Sequence, residues 1–329
     1  MTDQHYAPPP GPPPSYRQHA PTTNNAKANN NSDFAPPPGP PPSHRQHNDI
    51  PSQSPTEANP PPYQNWMTIE DTSLLPPPPA LPEDTSPTNN ASYDSAAQAH
   101  TWCTSHPLYT PSTPSADIHA LAQKGHFILD QPPPPLAKSF TLTQTTATKW
   151  HIRTHSSQSD VIILTNLPSY FAATDHPLTT HRPFQISYTI HIKRIANANS
   201  GIAIGFAAKP YPPFRLPGWH RASLAVHGDD GRRFTNDPWG GREFVDAFKP
   251  GQSITMGMTF TTTPLAANAS TIKTTAWLTR NGRTDEWQVD EQRDQRDEGV
   301  EGLMGEADLY PAIGVFGGVE FEVEFRPKG

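Results

Sequence analysis

The 329-residue chain has one cysteine, Cys103, so it can build neither an internal disulfide framework nor a cysteine-rich metal site. Long apolar runs are also missing. The stretch Val161 to Leu164 is far too short to span a bilayer, and the opening MTDQHYA lacks the basic and apolar pattern of a secretory leader. These absences predict a soluble protein in a reducing, cytoplasmic setting, with no transmembrane segment. Basic residues are outnumbered, 24 Lys and Arg against 31 Asp and Glu, and no basic stripe is interleaved with aromatics. Nucleic acid is therefore not an expected partner.

Catalytic patterns are absent as well. No GxSxG elbow occurs, and no glycine-rich phosphate loop follows a strand-like run. One thiol supplies neither the paired zinc ligands of a RING nor the large catalytic domain of a thioester-forming ligase. The expectation is a non-enzymatic protein with no cofactor and no metal. His151 and His155, like His176 and His181, are four or five apart, and on a strand four residues put side chains about 13 Å apart, too far for one ion.

Proline is abundant but unevenly placed: 31 of the 43 prolines precede residue 141, whereas 17 of the 20 glycines follow it. Together with Asn/Ser/Thr-rich stretches such as TTNNAKANNNS, this predicts a mostly disordered region over 1–137 and one folded domain over 138–327. Proline blocks favour polyproline II, an extended form whose ordering cost is partly met before a partner arrives.

Two of these blocks end in a Pro-Pro-x-Tyr tetrapeptide, Pro13-Pro14-Ser15-Tyr16 and Pro60-Pro61-Pro62-Tyr63. WW domains read such a motif by clasping the paired prolines between aromatic rings and seating the tyrosine in a separate pocket. The predicted docking residues are Pro13, Pro14, Tyr16, Pro60, Pro61 and Tyr63. YAPPPGPPPSYRQH at 6–19 recurs as FAPPPGPPPSHRQH at 34–47, where His44 replaces the tyrosine. That copy keeps the proline ridge and loses the phenol, as a decayed duplicate would.

Beyond Ser139 the pattern changes to short β-rich runs divided by turn signals. VIILT (161–165), FQISYTIHIK (184–193), IAIGFA (202–207), ASLAV (222–226), SITMGMTF (253–260), TIKTTAWLT (271–279) and AIGVF (312–316) all read as strands. In the last run Val319, Phe321, Val323 and Phe325 alternate with Glu320, Glu322 and Glu324, which places four apolar side chains on one face. Asp230-Gly231, Asn281-Gly282 and Pro250-Gly251 supply turns. An all-β antiparallel sandwich follows. The acidic stretch at 285–308 reads as a mobile surface insertion.

In order, GIAIGFAAKPYPPFRLPGWHRASLAVHGDDGRRF, FKPGQSITMGMTF, TAWLTRNG and LYPAIGVFGGVEFEVEF resemble the signature stretches of a SPRY domain, over about residues 140 to 327. That resemblance implies a bent sandwich of two antiparallel sheets, with loops that bind proteins. PYPPFRLPGWHRAS more particularly resembles fungal SPRY adaptors that recruit Nedd4-type HECT ubiquitin ligases to endosomal and vacuolar cargo and carry Pro-Pro-x-Tyr motifs. What it implies is an adaptor with a WW-domain ligase on one side, an unknown client on the other, and a peripheral contact with those membranes. This chain differs in placing the motifs near its start and in having no expected anchor. The peptide DTSLLPPPPALPEDTSPTNNAS resembles the linker of soluble fungal SPRY proteins.

For the client-binding surface the candidates are Arg215, Trp219, Arg221, Trp239 and Arg242. All five lie in loop-like sequence flanked by Gly and Pro, and Trp and Arg dominate interface hot spots. Core burial of both tryptophans is an equal alternative at this point. A second reading of the whole chain is a SPRY scaffold subunit of a nuclear complex, with the proline-rich tail as a spacer.

Overall fold

Why the late part of the chain forms a sandwich is visible strand by strand in a computed structural model that describes residues 92–137, 140–264, 270–291 and 299–325. All of them lie in one unit, residues 77–329. The Pro-Pro-x-Tyr motifs fall outside the described residues.

Among the described residues, twelve strands make two antiparallel sheets. The larger sheet has the order β1 (Phe140–Thr146), β2 (Lys149–Thr154), β12 (Val319–Glu324), β4 (Phe184–Ile195), β8 (Ser253–Pro264), β9 (Ser270–Arg280), β10 (Arg283–Gln288). The smaller has the order β3 (Val161–Leu164), β11 (Tyr310–Phe316), β5 (Gly201–Ala207), β6 (Ser223–His227), β7 (Arg233–Thr235).

Alternation decides which face of the larger sheet is wet. In β12, Val319, Phe321 and Val323 are buried while Glu320, Glu322 and Glu324 stay half-exposed. These carboxylates meet cationic or polar groups on the neighbouring strands: His151 Nε2 lies 3.1 Å from Glu320, His191 Nε2 3.4 Å from Glu324 and Lys193 Nζ 3.6 Å from Glu322. His151, whose spacing from His155 invites a metal reading, is thus the cross-strand partner of a glutamate. The core between the sheets is filled by Ile152, Ile190, Met256, Phe260, Leu278, Phe206, Ile313 and Phe325, among others.

The smaller sheet behaves differently, because every residue of β5 and β6 is buried. A sheet buried on both faces needs a second cover. That cover is the 208–222 connection, which folds over the outer face: Leu216 and Trp219 pack with Ala203, Phe234 and Phe316, and Tyr211 packs with Ile162, Ala207 and Ala312.

The folded part begins earlier than the composition predicts. The expectation of disorder up to residue 137 fails for 92–137, which contains two helices, α1 (Tyr93–Ser105) and α2 (Ala116–Gln123). Ser92 and Ser115 cap them, each accepting from the backbone N–H three residues on. The segment after α2 closes one end of the sandwich: Phe127 packs edge-on against Phe325, Trp150 Nε1 donates to the Phe127 carbonyl at 3.0 Å, and Leu129 bridges Thr165. Two short helices, α3 (Ala172–Asp175) and α4 (Pro177–Thr180), complete the described elements. His119 of α2 lies 2.8 Å from Asp175, tying the first pair to the second.

The acidic stretch at 285–308 is another correction. Its first residues complete β10, and Trp287, Val289, Leu303 and Ala307 are buried in the main core, so its described parts are structural rather than a mobile insertion. Its apolar residues are sparse but fall where the sandwich needs them.

Candidate loop surface and charged cleft

Of the five residues expected to face a client, the structure exposes some and buries others. Arg215 and Trp219 are sealed from solvent, at 0% and 1% exposure, and are corrected from surface to interior. The reason is the apolar outer face of the smaller sheet, which draws the Gly/Pro-rich connection inward and takes Trp219 as its plug. Arg215 stacks on that indole with its guanidinium carbon 4.2 Å from the ring centroid. Its Nε donates to His220 Nε2 at 2.9 Å and its Nη1 to Ser95 Oγ at 3.0 Å.

Arg221 and Trp239 stay partly accessible. Arg221 reaches the end of α1, where Nη1 donates to the Cys103 carbonyl at 2.5 Å and Nη2 to the His106 carbonyl. Trp239 is 44% exposed, with its ring 6.1 Å from that of Tyr93. Arg242 is half-buried and its backbone exchanges two hydrogen bonds of 2.8 Å with Arg233. The structure therefore gathers Arg215, Arg221 and Trp239 against α1 and seats Trp219 under Arg215 on the smaller sheet, whereas Arg242 pairs with the first residue of β7.

Burial governs the electrostatics under α1. His220 is held neutral, its pKa pushed down to about 3 by burial and then by the charges of Arg215, His100 and Arg221. His100, whose ring meets His220 edge-on at 4.9 Å, is lowered by burial and by Arg215. Cys103, which the composition places in a disordered segment, lies buried on α1, and burial raises its thiol above the ordinary range. A thiol held protonated and covered is a poor nucleophile.

A second feature leaves no trace in the sequence. An open cleft of about 860 Å³ lies between the 243–252 connection and the β9–β10 hairpin. Arg232, Lys249, Arg280 and Arg283 line it beside Asp230, Glu243, Asp246 and Asp285, with Phe244 and Val245 as apolar floor. Charges pair across and along its wall: Arg280 Nη2 lies 3.2 Å from Asp246 and Arg283 Nη2 2.7 Å from Asp285. The hairpin is sharp because Asn281 and Gly282 both take positive φ, +50° and +77°, as a tight two-residue turn requires. Arg232 Nε donates to the Gly240 carbonyl at 2.8 Å, linking the cleft to the loop that carries Trp239.

Protein ssh4 of Sclerotinia sclerotiorum is 32% identical over 131 residues, 40% of this chain and 20% of that protein. The SPRY domain-containing protein C285.10c of Schizosaccharomyces pombe is 45% identical over 56 residues, 17% of this chain and 14% of that one.

The chain is similar to fungal SPRY domain proteins.

No family model matches it. A crystal structure of a human SPRY domain aligns with a TM-score of 0.36 and 19% identity, covering 56% of this chain and 96% of that chain. The chain spans about one fifth of the length of the ssh4 protein it matches. The loop surface and cleft described above are borne on the sandwich. Among the described residues no group of three His, Cys, Asp or Glu side chains is placed to hold a metal ion, and no helix is long and apolar enough to cross a membrane.

Proposed function

We propose that the protein is a non-enzymatic adaptor whose sandwich binds a client protein and whose Pro-Pro-x-Tyr motifs recruit a WW-domain protein such as a Nedd4-type HECT ubiquitin ligase. The observation that carries the client half is the charged, open cleft beside the β9–β10 hairpin of the sandwich. Its alternating signs and apolar floor suit a polar peptide segment better than a small uncharged ligand. Similarity to SPRY domain proteins supports a protein-binding role. The ligase half rests on Tyr16 and Tyr63 and on the resemblance to fungal adaptors; two motifs on one tail make the second contact intramolecular, at roughly millimolar effective concentration. A cytoplasmic site with peripheral contact to endosomal or vacuolar membranes belongs to the same proposal.

Proximity cross-linking from a photoreactive residue at Asn281 in the full chain, followed by the same capture with Asp246→Lys at the exposed wall of the cleft, tests the client half. One protein captured by the wild type and lost in the folded variant supports the cleft. Equal capture by both removes it as the client site.

A further inference from the structure

Helix α1 rests on loop residues through a thin seam. The side chains it buries are Ala96, Ala99 and Cys103, spaced so that only small groups face inward. Its polar links are the Ser95 hydroxyl to Arg215 and the Cys103 and His106 carbonyls to Arg221, so both arginines meet neutral partners. The fit is incomplete. Beneath the helix, Arg215 Nη2, His220 Nδ1 and Arg221 Nε are enclosed without a hydrogen-bond partner, and Arg215 and His220 are at least 99% buried. The charge of Asp160 also acts on Arg215, favouring its charged form. A buried cation left with a free donor is a costly arrangement that an added acceptor would relieve.

The chain beyond α1 has its own anchors. Tyr109 N donates to the Lys209 carbonyl at 2.9 Å, and Ser112 Oγ donates to Asp308 at 2.6 Å. None of these contacts is made through a residue of α1.

We propose that α1 is a displaceable intramolecular occupant of the Arg215–His220–Arg221 surface, and that the partner fitting this surface is an acidic helical peptide with a carboxylate where α1 has Ser95. The carboxylate takes the free donor of Arg215, and the carbonyl end of the incoming helix sits on Arg221 as that of α1 does. Trp239 supplies an aromatic contact at the other end, where Tyr93 now lies. This surface is separate from the cleft assigned to the client, so the proposal does not depend on the adaptor reading.

The probe is a synthetic peptide of residues 92–106 bearing Ser95→Glu, labelled for anisotropy and titrated into the full chain. In a second full chain Ala99→Lys sets a like charge against the two arginines and evicts α1. Binding to the evicted chain is expected to be at least about tenfold tighter than to wild type, and about tenfold tighter than that of the unaltered peptide, as one charge-assisted hydrogen bond implies. Arg221→Glu in the evicted chain abolishes it. Equal binding of the two peptides, or no binding to the evicted chain, overturns the proposal. Hydrogen exchange on the wild type covers the case in which Ala99→Lys does not fold. Amides of α1 should open well before those of Ile190 and Met256 in the central strands. Exchange of α1 only with the central strands makes it an integral part of the sandwich and also overturns the proposal. Neither readout involves a WW domain or a cleft client, so failure of the adaptor reading and failure of this one are distinguishable.

Discussion

The guanidinium of Arg215 lies over the indole of Trp219, 4.2 Å from its centroid, with both side chains shut off from solvent. The pair closes the outer face of the smaller sheet. Trp219→Ala should therefore act on stability rather than on a surface contact, costing about 3–5 kcal/mol as a large buried aromatic does. Urea unfolding followed by far-UV circular dichroism measures it; a change below about 1 kcal/mol would show that the connection is a dispensable flap.

His220 predicts an acid weakness. Its pKa in the fold is about 3 against an ordinary 6.5, so between those values the unfolded chain holds a proton that the folded chain does not. Stability is complete above the unfolded value and declines as pH falls toward the folded one. At pH 5 the loss from this group alone is about 2 kcal/mol, and His227, also lowered by burial, adds to it in the same direction. Thermal melts from pH 7.5 to 5 should show a falling midpoint, with a shallower slope in His220→Gln. A flat profile would mean that His220 is charged in the fold.

Two glycines separate crowding from backbone strain. A Cβ on Gly231 would run into the Val245 carbonyl, whereas one on Gly251 meets nothing within 4 Å, and both residues have positive φ, +79° and +85°. Gly251→Ala should cost about 1–2 kcal/mol from the left-handed backbone alone. Gly231→Ala adds a main-chain clash that Val245 can relieve only by moving the cleft wall. Comparison of the two melting temperatures checks this, and similar losses would show that the wall yields freely.

In the cleft, Asp246 is 93% exposed, so its pair with Arg280 contributes little to the fold. Asp246→Lys should therefore shift the melting temperature by no more than about a degree or two while altering client capture. A large drop in stability would place Asp246 among the structural residues instead.

The strands are largely legible in the sequence because alternation and turns act locally. FQISYTIHIK, SITMGMTF and VEFEVEF each carry their own evidence, and each lies on a strand of the larger sheet. β10 reads as part of an acidic loop because only Trp287 marks its buried side. α1 is silent for a related reason: Ala96, Ala99 and Cys103 are too small to produce an apolar stripe, and the composition around them is that of a linker. The position of Trp219 is not readable from its neighbours. Gly218 and Pro217 signal a loop, and whether a loop lies on the surface or folds onto a sheet depends on distant residues such as Ala203 and Phe316. Unbroken burial along GIAIGFA and SLAVH is the structural sign that such a cover exists. The cleft joins Arg232, Asp246 and Arg283 from separate turns, and only the fold brings them together.

The central claim is tested most directly by titrating the full chain with a panel of WW domains and comparing wild type with Tyr16→Ala, Tyr63→Ala and the double variant. The account predicts partial loss in each single variant and complete loss in the double, with a bivalent advantage that can exceed about 10²-fold when tandem WW domains are used. Binding that is absent in the wild type, or that persists without either tyrosine, would contradict the adaptor.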